Sequence, residues 1–286
     1  MTSKRKFLAK AWLALAMIPV LFFIYAPLAW LLTSSISTRA DLLAIPPRFF
    51  PAHPTLKNYT DILLPGTGVS EVARTFKVTL INSLVVSLST TVICLVIASL
   101  AAYALARLRL RYKDQFVVGI LSVRMIPEIS LVIPLFIVAA RLGWLDKPIV
   151  LIVTYLSFSL PFATWMLTTF FETIPVELED AALIDGSSRL NTLIRIILPL
   201  ASPGIVSTAL FIFLLAWDEF FFALIFTSTV ASKTVPVAIA EFTGRYAVDI
   251  TAMMAGGVLA ALPPVILALI FQRYIVSGLS AGAVKG

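Results

Sequence analysis

The chain is poor in the residues that do chemistry in water. It has one cysteine, Cys94, and one histidine, His53, among 286 residues. A disulfide framework and a Cys/His metal cluster are therefore both excluded for this chain alone. Cys94 falls within an apolar run and reads as packing, and His53, in Pro51-Ala-His-Pro54, reads as a solvated loop residue. Charge is scarce too, at 13% of residues, where soluble domains carry roughly 25%. The sequence contains no G-x-x-x-x-G-K-[ST] phosphate loop, so the chain cannot cradle ATP itself. No repeat of 20–50 residues and no low-complexity tract appears, which argues against a solenoid or a disordered tail.

What the chain has in abundance is apolar sequence, 60% of residues with a mean hydropathy of +1.00. It falls in continuous runs such as Val85 to Ala102. About 20 such residues cross a hydrocarbon core, and a barrel would instead need short segments of alternating polarity. The fold class is an all-α polytopic membrane protein. Six spans are expected, near 11–34, 78–105, 115–140, 149–171, 203–227 and 251–272.

The net charge of +7 and the pI near 9.7 do not indicate a nucleic-acid partner, because the basic residues gather beside apolar runs. Lys4, Arg5, Lys6 and Lys10 precede the first run, and Arg107, Arg109, Arg111 and Lys113 separate the second from the third. Both clusters read as cytoplasmic anchors under the positive-inside rule. The stretch from Ala11 to Leu32 is too long for a signal-peptide core and reads as an uncleaved first helix. Residues 1–10 and 273–286 are then cytoplasmic. Residues 35–77 form a proline-bearing outside segment, an ordered lid or docking surface, with Pro46, Pro47, Pro51, Pro54 and Pro65.

The most informative stretch is 172–199. Pro175 suits a first helical turn, and Glu177, Glu179 and Asp180 lie near its positive dipole end. Asp185-Gly186 stops that helix, Ser187 or Ser188 caps a second, and Pro199 ends it before the next span. From these residues alone the hairpin could be a plain structural re-entry loop. Its pattern, Asp180-Ala181-Ala182 followed by Asp185-Gly186 and Ile197-Leu-Pro199, resembles the EAA signature of permease subunits in binding-protein-dependent ABC importers. Asp180 stands where that signature usually has Glu. Arg39-Ala-Asp-Leu, Thr55-Leu-Lys-Asn-Tyr59, Ala102-Tyr-Ala-Leu-Ala-Arg107, Trp217-Asp-Glu-Phe220 and the tail from Gly278 to Gly286 are similar to carbohydrate importers, the smaller permease of the maltose transporter among them.

The resemblance implies a type I importer permease fold whose single transmembrane domain covers 11–286. Glu179, Asp180, Ala181, Ala182, Asp185, Gly186 and Arg189 would couple it to an ATPase. The implied partners are a second, homologous permease, an ABC ATPase dimer that binds ATP and Mg, a periplasmic or lipid-anchored sugar-binding protein, and membrane lipids. The chain itself would be no enzyme and would bind no metal or cofactor.

Arg124 lies near mid-bilayer depth in the third expected span, with Glu128 one helical turn later. A central arginine costs about 2.5–3.5 kcal/mol on insertion scales and needs a partner or a water-filled path. Two readings stand: an ion pair with Glu128 or Asp218 that locks helices together, or a polar wall of a substrate pathway shared with Trp217, Asp218 and Glu219. Asn82 is expected to bond helix to helix rather than to bind a ligand. A secondary transporter driven by an ion gradient remains the main alternative, since Glu128, Asp218 and Glu219 could carry protons or sodium. A membrane-embedded enzyme lacks a catalytic cluster. Polyols, phosphodiesters and sulfonated sugars stay open as substrates beside plain sugars.

Overall fold

A computed structural model describes residues 3–46, 48–66, 69–108, 110–243 and 249–283, with side chains undescribed at 3–9, 11, 114 and 275–283. The expected basic anchors Lys4, Arg5, Lys6 and Arg109, the lid's Pro47, and the side chains of the tail from Gly278 lie outside the described side chains.

The elements run α1 (Ser3–Ser35), α2 (Arg39–Leu42), α3 (Lys57–Leu63), α4 (Glu71–Arg107), α5 (Lys113–Ser122) with a 3-10 turn (Val123–Met125), α6 (Glu128–Arg141) and α7 (Pro148–Glu172). Then follow α8 (Val176–Ile184), α9 (Arg189–Thr192), a π-helical turn (Leu193–Ile197), α10 (Leu198–Leu200), α11 (Ser202–Trp217), α12 (Phe221–Phe226), α13 (Val235–Glu241) and α14 (Ile250–Ala283). Four helices are long and apolar enough to cross a membrane, and two bent pairs bring the total to the expected six.

The bent pairs give the expected third and fifth spans their shape. Gln115–Met125 and Glu128–Arg141 meet at 89°. The cause is Pro127, whose ring drives the preceding Ile126 out of the helical region to ψ 123. Glu128 therefore does not follow Arg124 by one turn of a continuous helix. Arg189–Leu200 and Ser202–Trp217 meet at 82°. Pro199 does not end the chain's helical course, as expected, but sits inside α10, and the break falls two residues later at Ala201. Pro199 and Pro203 flank that break and remove two N–H groups that a straight helix would need. The fifth span also stops at Trp217, short of the expected 227, and resumes as α12. The second span starts at Glu71, before the expected residue 78, and the sixth continues as helix to Ala283 through most of the expected tail.

Two compact units can be told apart. The first comprises 1–77 and 239–262, the second 78–238 and 263–286. In the first, motif residues of the segment after α1 fold it back on the end of that helix. Asn58 Nδ2 donates to the carbonyls of Ser35 (2.8 Å) and Ser37 (3.0 Å), and the Ser35 and Tyr59 hydroxyls bond at 2.6 Å. Asp41 takes hydrogen bonds from the Thr38 hydroxyl (2.8 Å) and the Ala52 N–H (3.4 Å), and the Thr38 bond holds its carboxyl below the usual range. His53 is exposed. Residues Trp12 to Ile24 of α1 present large apolar side chains outward, Phe23 at 82% exposure.

In the second unit, Cys94 is fully buried with Ala98, Ala102, Leu167, Phe171, Ile197 and Ile212, so it is packing, as expected. Gly204 lets α11 close onto α7: a Cβ there would lie 2.3 Å from the Phe170 ring. Asn82 Nδ2 donates to the carbonyls of Val230 (2.9 Å) and Lys233 (3.0 Å). It satisfies loop backbone between α12 and α13 rather than a second helix.

Candidate functional site

Two features of the second unit carry candidate function: the hairpin 176–200 and a polar pocket beside the break at Pro127 and the break after Trp217.

The hairpin forms because each of its ends is chemically specified. α8 starts after Pro175, with Glu177 and Glu179 in its first turn, where the helix dipole favours carboxylates. It ends in a Schellman motif, with the Gly186 N–H on the Leu183 carbonyl (3.1 Å) and the Ser187 N–H on the Ala182 carbonyl (2.9 Å). Gly186 adopts φ +85, a conformation that side chains rarely take. Of the two serines expected as caps, Ser188 does the work: its hydroxyl accepts from the Asn191 N–H at 3.3 Å.

The candidate residues of the hairpin divide between two faces. Asp180, Ala181, Asp185, Gly186 and Arg189 are exposed, while Glu179 and Ala182 are buried. Glu179 accepts from the Tyr103 hydroxyl, and Arg107 Nε lies 2.9 Å from its other oxygen, both charged side chains being almost fully buried. Arg107 also donates to the Ile174 carbonyl at 2.7 Å. Arg189 stands at 3.8 Å from Glu179 and is largely exposed, so its attraction is weak. In the sequence Tyr103 belonged to a motif without an assigned role, and Arg107 read as a cytoplasmic anchor. Their spacing of four residues on one helical face was the available signal.

The polar pocket, about 110 Å³, is lined by Arg124, Glu128, Tyr155, Ser159 and Glu219, among others. No ion pair within 4.0 Å joins Arg124 to Glu128 or to Asp218 among the described residues. The expected lock is replaced by a guanidinium over the Phe162 ring at 5.2 Å from its centroid, an aromatic the sequence reading passed over. Arg124 and Glu128 are both exposed. Glu219 is fully engaged: it accepts from the Tyr155 hydroxyl (2.6 Å) and from the N–H groups of Phe222 (2.8 Å) and Ala223 (3.1 Å). It caps α12, which explains why the fifth span breaks where it does. Trp217 is 3% exposed and stacks on Phe213 at 5.5 Å, so it presents no free face to a ligand, contrary to the expected acidic-aromatic pair. Asp218 is exposed at the C-terminus of α11.

At the opposite end of α7 from the hairpin, Asp146 clamps the 228–232 loop. Its carboxylate accepts from the N–H groups of Ser228 (2.8 Å) and Thr229 (2.9 Å), from the Thr229 hydroxyl (2.7 Å) and from the Ser232 hydroxyl. Partial burial works to raise its pKa, but these donors outweigh it and hold the carboxyl well below the usual range.

Comparison with known proteins adds an independent line. Residues 94–281 match the family described as binding-protein-dependent transport system inner membrane component. The chain is 39% identical to the sulfoquinovosyl glycerol transport system permease protein of Agrobacterium fabrum, over 91% of this chain and 88% of that one. It is also 39% identical to the trehalose/maltose transport system permease protein of Thermococcus litoralis, over 91% of each. A trehalose transport system permease protein of Mycobacterium tuberculosis is 38% identical over 91% of this chain and 92% of its own length. Among solved structures, a bacterial ABC transporter involved in the import of the acidic polysaccharide alginate has a chain that superposes with a TM-score of 0.78 at 21% identity. That match covers 96% of this chain and 99% of that one.

Proposed function

The chain belongs to the inner membrane components of binding-protein-dependent transport systems, and from that premise we propose that it is a permease subunit of an ATP-driven importer of a sugar or sugar derivative. The observation that carries the reading is the Schellman-capped hairpin with its exposed Asp180, Ala181, Asp185 and Gly186. Its face is rigid, accessible and placed at one end of the spanning helices, as a docking element for a separate ATPase would be. The sugar class rests on the relatives, whose names specify trehalose, maltose and a sulfoquinovosyl glycerol.

In this reading the hairpin and both termini face the cytoplasm, and residues 11–286 form one transmembrane domain. The Asp146-clamped loop lies outside, where a periplasmic or lipid-anchored sugar-binding protein delivers substrate. ATP and Mg are held by an ABC ATPase dimer, and this chain supplies the lever. Nucleotide-driven closure biases a two-state rearrangement of the permease pair.

Arg124, Glu128 and Phe162 form one wall of the substrate path. The pocket that Arg124 and Glu128 line, at about 110 Å³, is smaller than the roughly 300–1,000 Å³ of small-molecule sites. A second, homologous permease therefore completes the path. The guanidinium and carboxylate offer hydrogen bonds to hydroxyl groups, and the ring offers an apolar face.

The test is purification of the tagged chain from native membranes in mild detergent. Co-isolation of an ABC ATPase, a second permease and a solute-binding protein is the expected result; isolation of the chain alone, with uptake driven by an ion gradient, would replace this reading with a secondary transporter.

A further inference from the structure

The hairpin meets the rest of the second unit in two different ways. At its exit the chain bends by 82° at Ala201 between two prolines, and the contacts are apolar: Leu193, Ile197 and Ala201 lie in one buried cluster with side chains of α4, α7 and α11. At its entry the link is a buried ionic bolt, in which Glu179 of α8 is gripped by Tyr103 and Arg107 from the last turns of α4. Arg107 spans the junction by also holding the Ile174 carbonyl, one residue before Pro175. Removing either charge strands the other in a site from which water is excluded, which is far more costly than losing an exposed pair. Glu179 also stands next to the exposed Asp180, so its side chain points into the bundle while its neighbour faces outward.

We propose that Tyr103 and Arg107 are positioning residues for energy coupling, fixing α8 to α4 so that displacement of the hairpin by the ATPase moves α4 with it. The proposal rests on the importer reading and assigns the route by which the stroke enters the spanning bundle. Through α4 that route reaches Cys94 and Ala98, two turns and more above the bolt, in the same buried cluster as Leu167 of α7 and Ile212 of α11. A push on the hairpin is thereby distributed to three spans at once. The Lys113–Glu172 pair at the same end, 2.6 Å long but about one-third exposed on each side, is not part of this route.

The experiment uses the complete complex, with second permease, ATPase and binding protein, in liposomes. Uptake and ATP hydrolysis are measured together, and spin labels at Leu100→Cys and Glu177→Cys report the α4–α8 distance with and without nucleotide. In the otherwise native complex the distance distribution stays narrow and unchanged as nucleotide binds. Arg107→Gln broadens it and lowers substrate transported per ATP by about tenfold, a change of the size seen for tightly coupled pairs. Arg107→Lys restores part of the ratio, and Lys113→Gln leaves it unchanged. A nucleotide-dependent α4–α8 distance, or native stoichiometry in a stably assembled Arg107→Gln complex, would overturn the bolt. Should Arg107→Gln fail to assemble, Tyr103→Phe, which keeps both charges paired, must still broaden the distribution, and a native distribution there overturns the proposal. Failure of the native chain to assemble with any ATPase overturns the importer reading itself.

Discussion

The hairpin and the break after Trp217 each set a glutamate against a tyrosine, yet the two glutamates do different things. Glu179 ties one element to another across 72 residues of sequence through Arg107. Glu219, besides accepting from Tyr155 of α7, spends its other bonds on its own neighbours, taking the N–H groups of Phe222 and Ala223 at the start of the next helix. The partner decides the role. A carboxylate facing a guanidinium makes a long-range bolt, whereas one facing free backbone N–H groups makes a cap. The difference teaches that acidic residues in an apolar chain cannot be assigned to substrate or ion pathways before their donors are counted. Of the three intramembrane acids weighed from sequence, only Glu128 and Asp218 are left exposed.

That contrast can be broken in graded ways. Glu179→Ala should have the largest effect, since it leaves Arg107 buried without its counter-charge, and roughly 3–5 kcal/mol is the usual penalty. Thermal unfolding of the detergent-solubilised complex reads it. Gly204→Val should come next, because a Cβ meets Phe170 at 2.3 Å, and overpacking of this kind costs about 1–3 kcal/mol; lowered yield of folded protein is the readout. Glu219→Gln, which keeps one acceptor oxygen, should lose about 1 kcal/mol of cap strength while the hairpin stays native. Gly186→Val strains a single φ +85 residue that has open space around it. About 1–2 kcal/mol of local strain should leave insertion intact but reduce uptake per ATP.

The smallest effect belongs to Asp146. Its lowered pKa means that its clamp is fully present above the ordinary carboxylate value and is lost only as pH falls through the lowered folded value. Binding-protein-stimulated activity should therefore show no step attributable to this loop from neutrality down to about pH 5. Asp146→Asn should loosen the 228–232 loop at all of these pH values, as read by limited proteolysis.

The six apolar runs, the hairpin with its glycine stop, and the packing role of Cys94 were legible because each follows from local sequence: run length, a Ser and a Gly at helix ends, a thiol inside an apolar stretch. Pro127 pointed to some irregularity in the third span, but neither the 89° sharpness of its bend nor the bend between Pro199 and Pro203 was legible. Proline in a membrane helix is compatible with a continuous span or with a sharp break, and tertiary packing selects between them. The Glu179 bolt was hidden for a different reason: its partners are distant in the chain, and nothing local distinguishes a buried Arg107 from one more cytoplasmic anchor. The companion of Arg124 is an aromatic ring rather than an acid, a pairing that charge-matching along the sequence does not find.

The central claim is that this chain moves sugar only when a separate ATPase drives it. The most direct measurement is uptake of radiolabelled trehalose or maltose, and of a sulfonated sugar, into liposomes holding the purified complex with its binding protein, with ATP supplied or withheld and the ion gradients collapsed. The account predicts uptake that requires ATP, survives collapse of the gradients and fails in Gly186→Val. Uptake by the chain alone that follows a proton or sodium gradient and ignores ATP would contradict it.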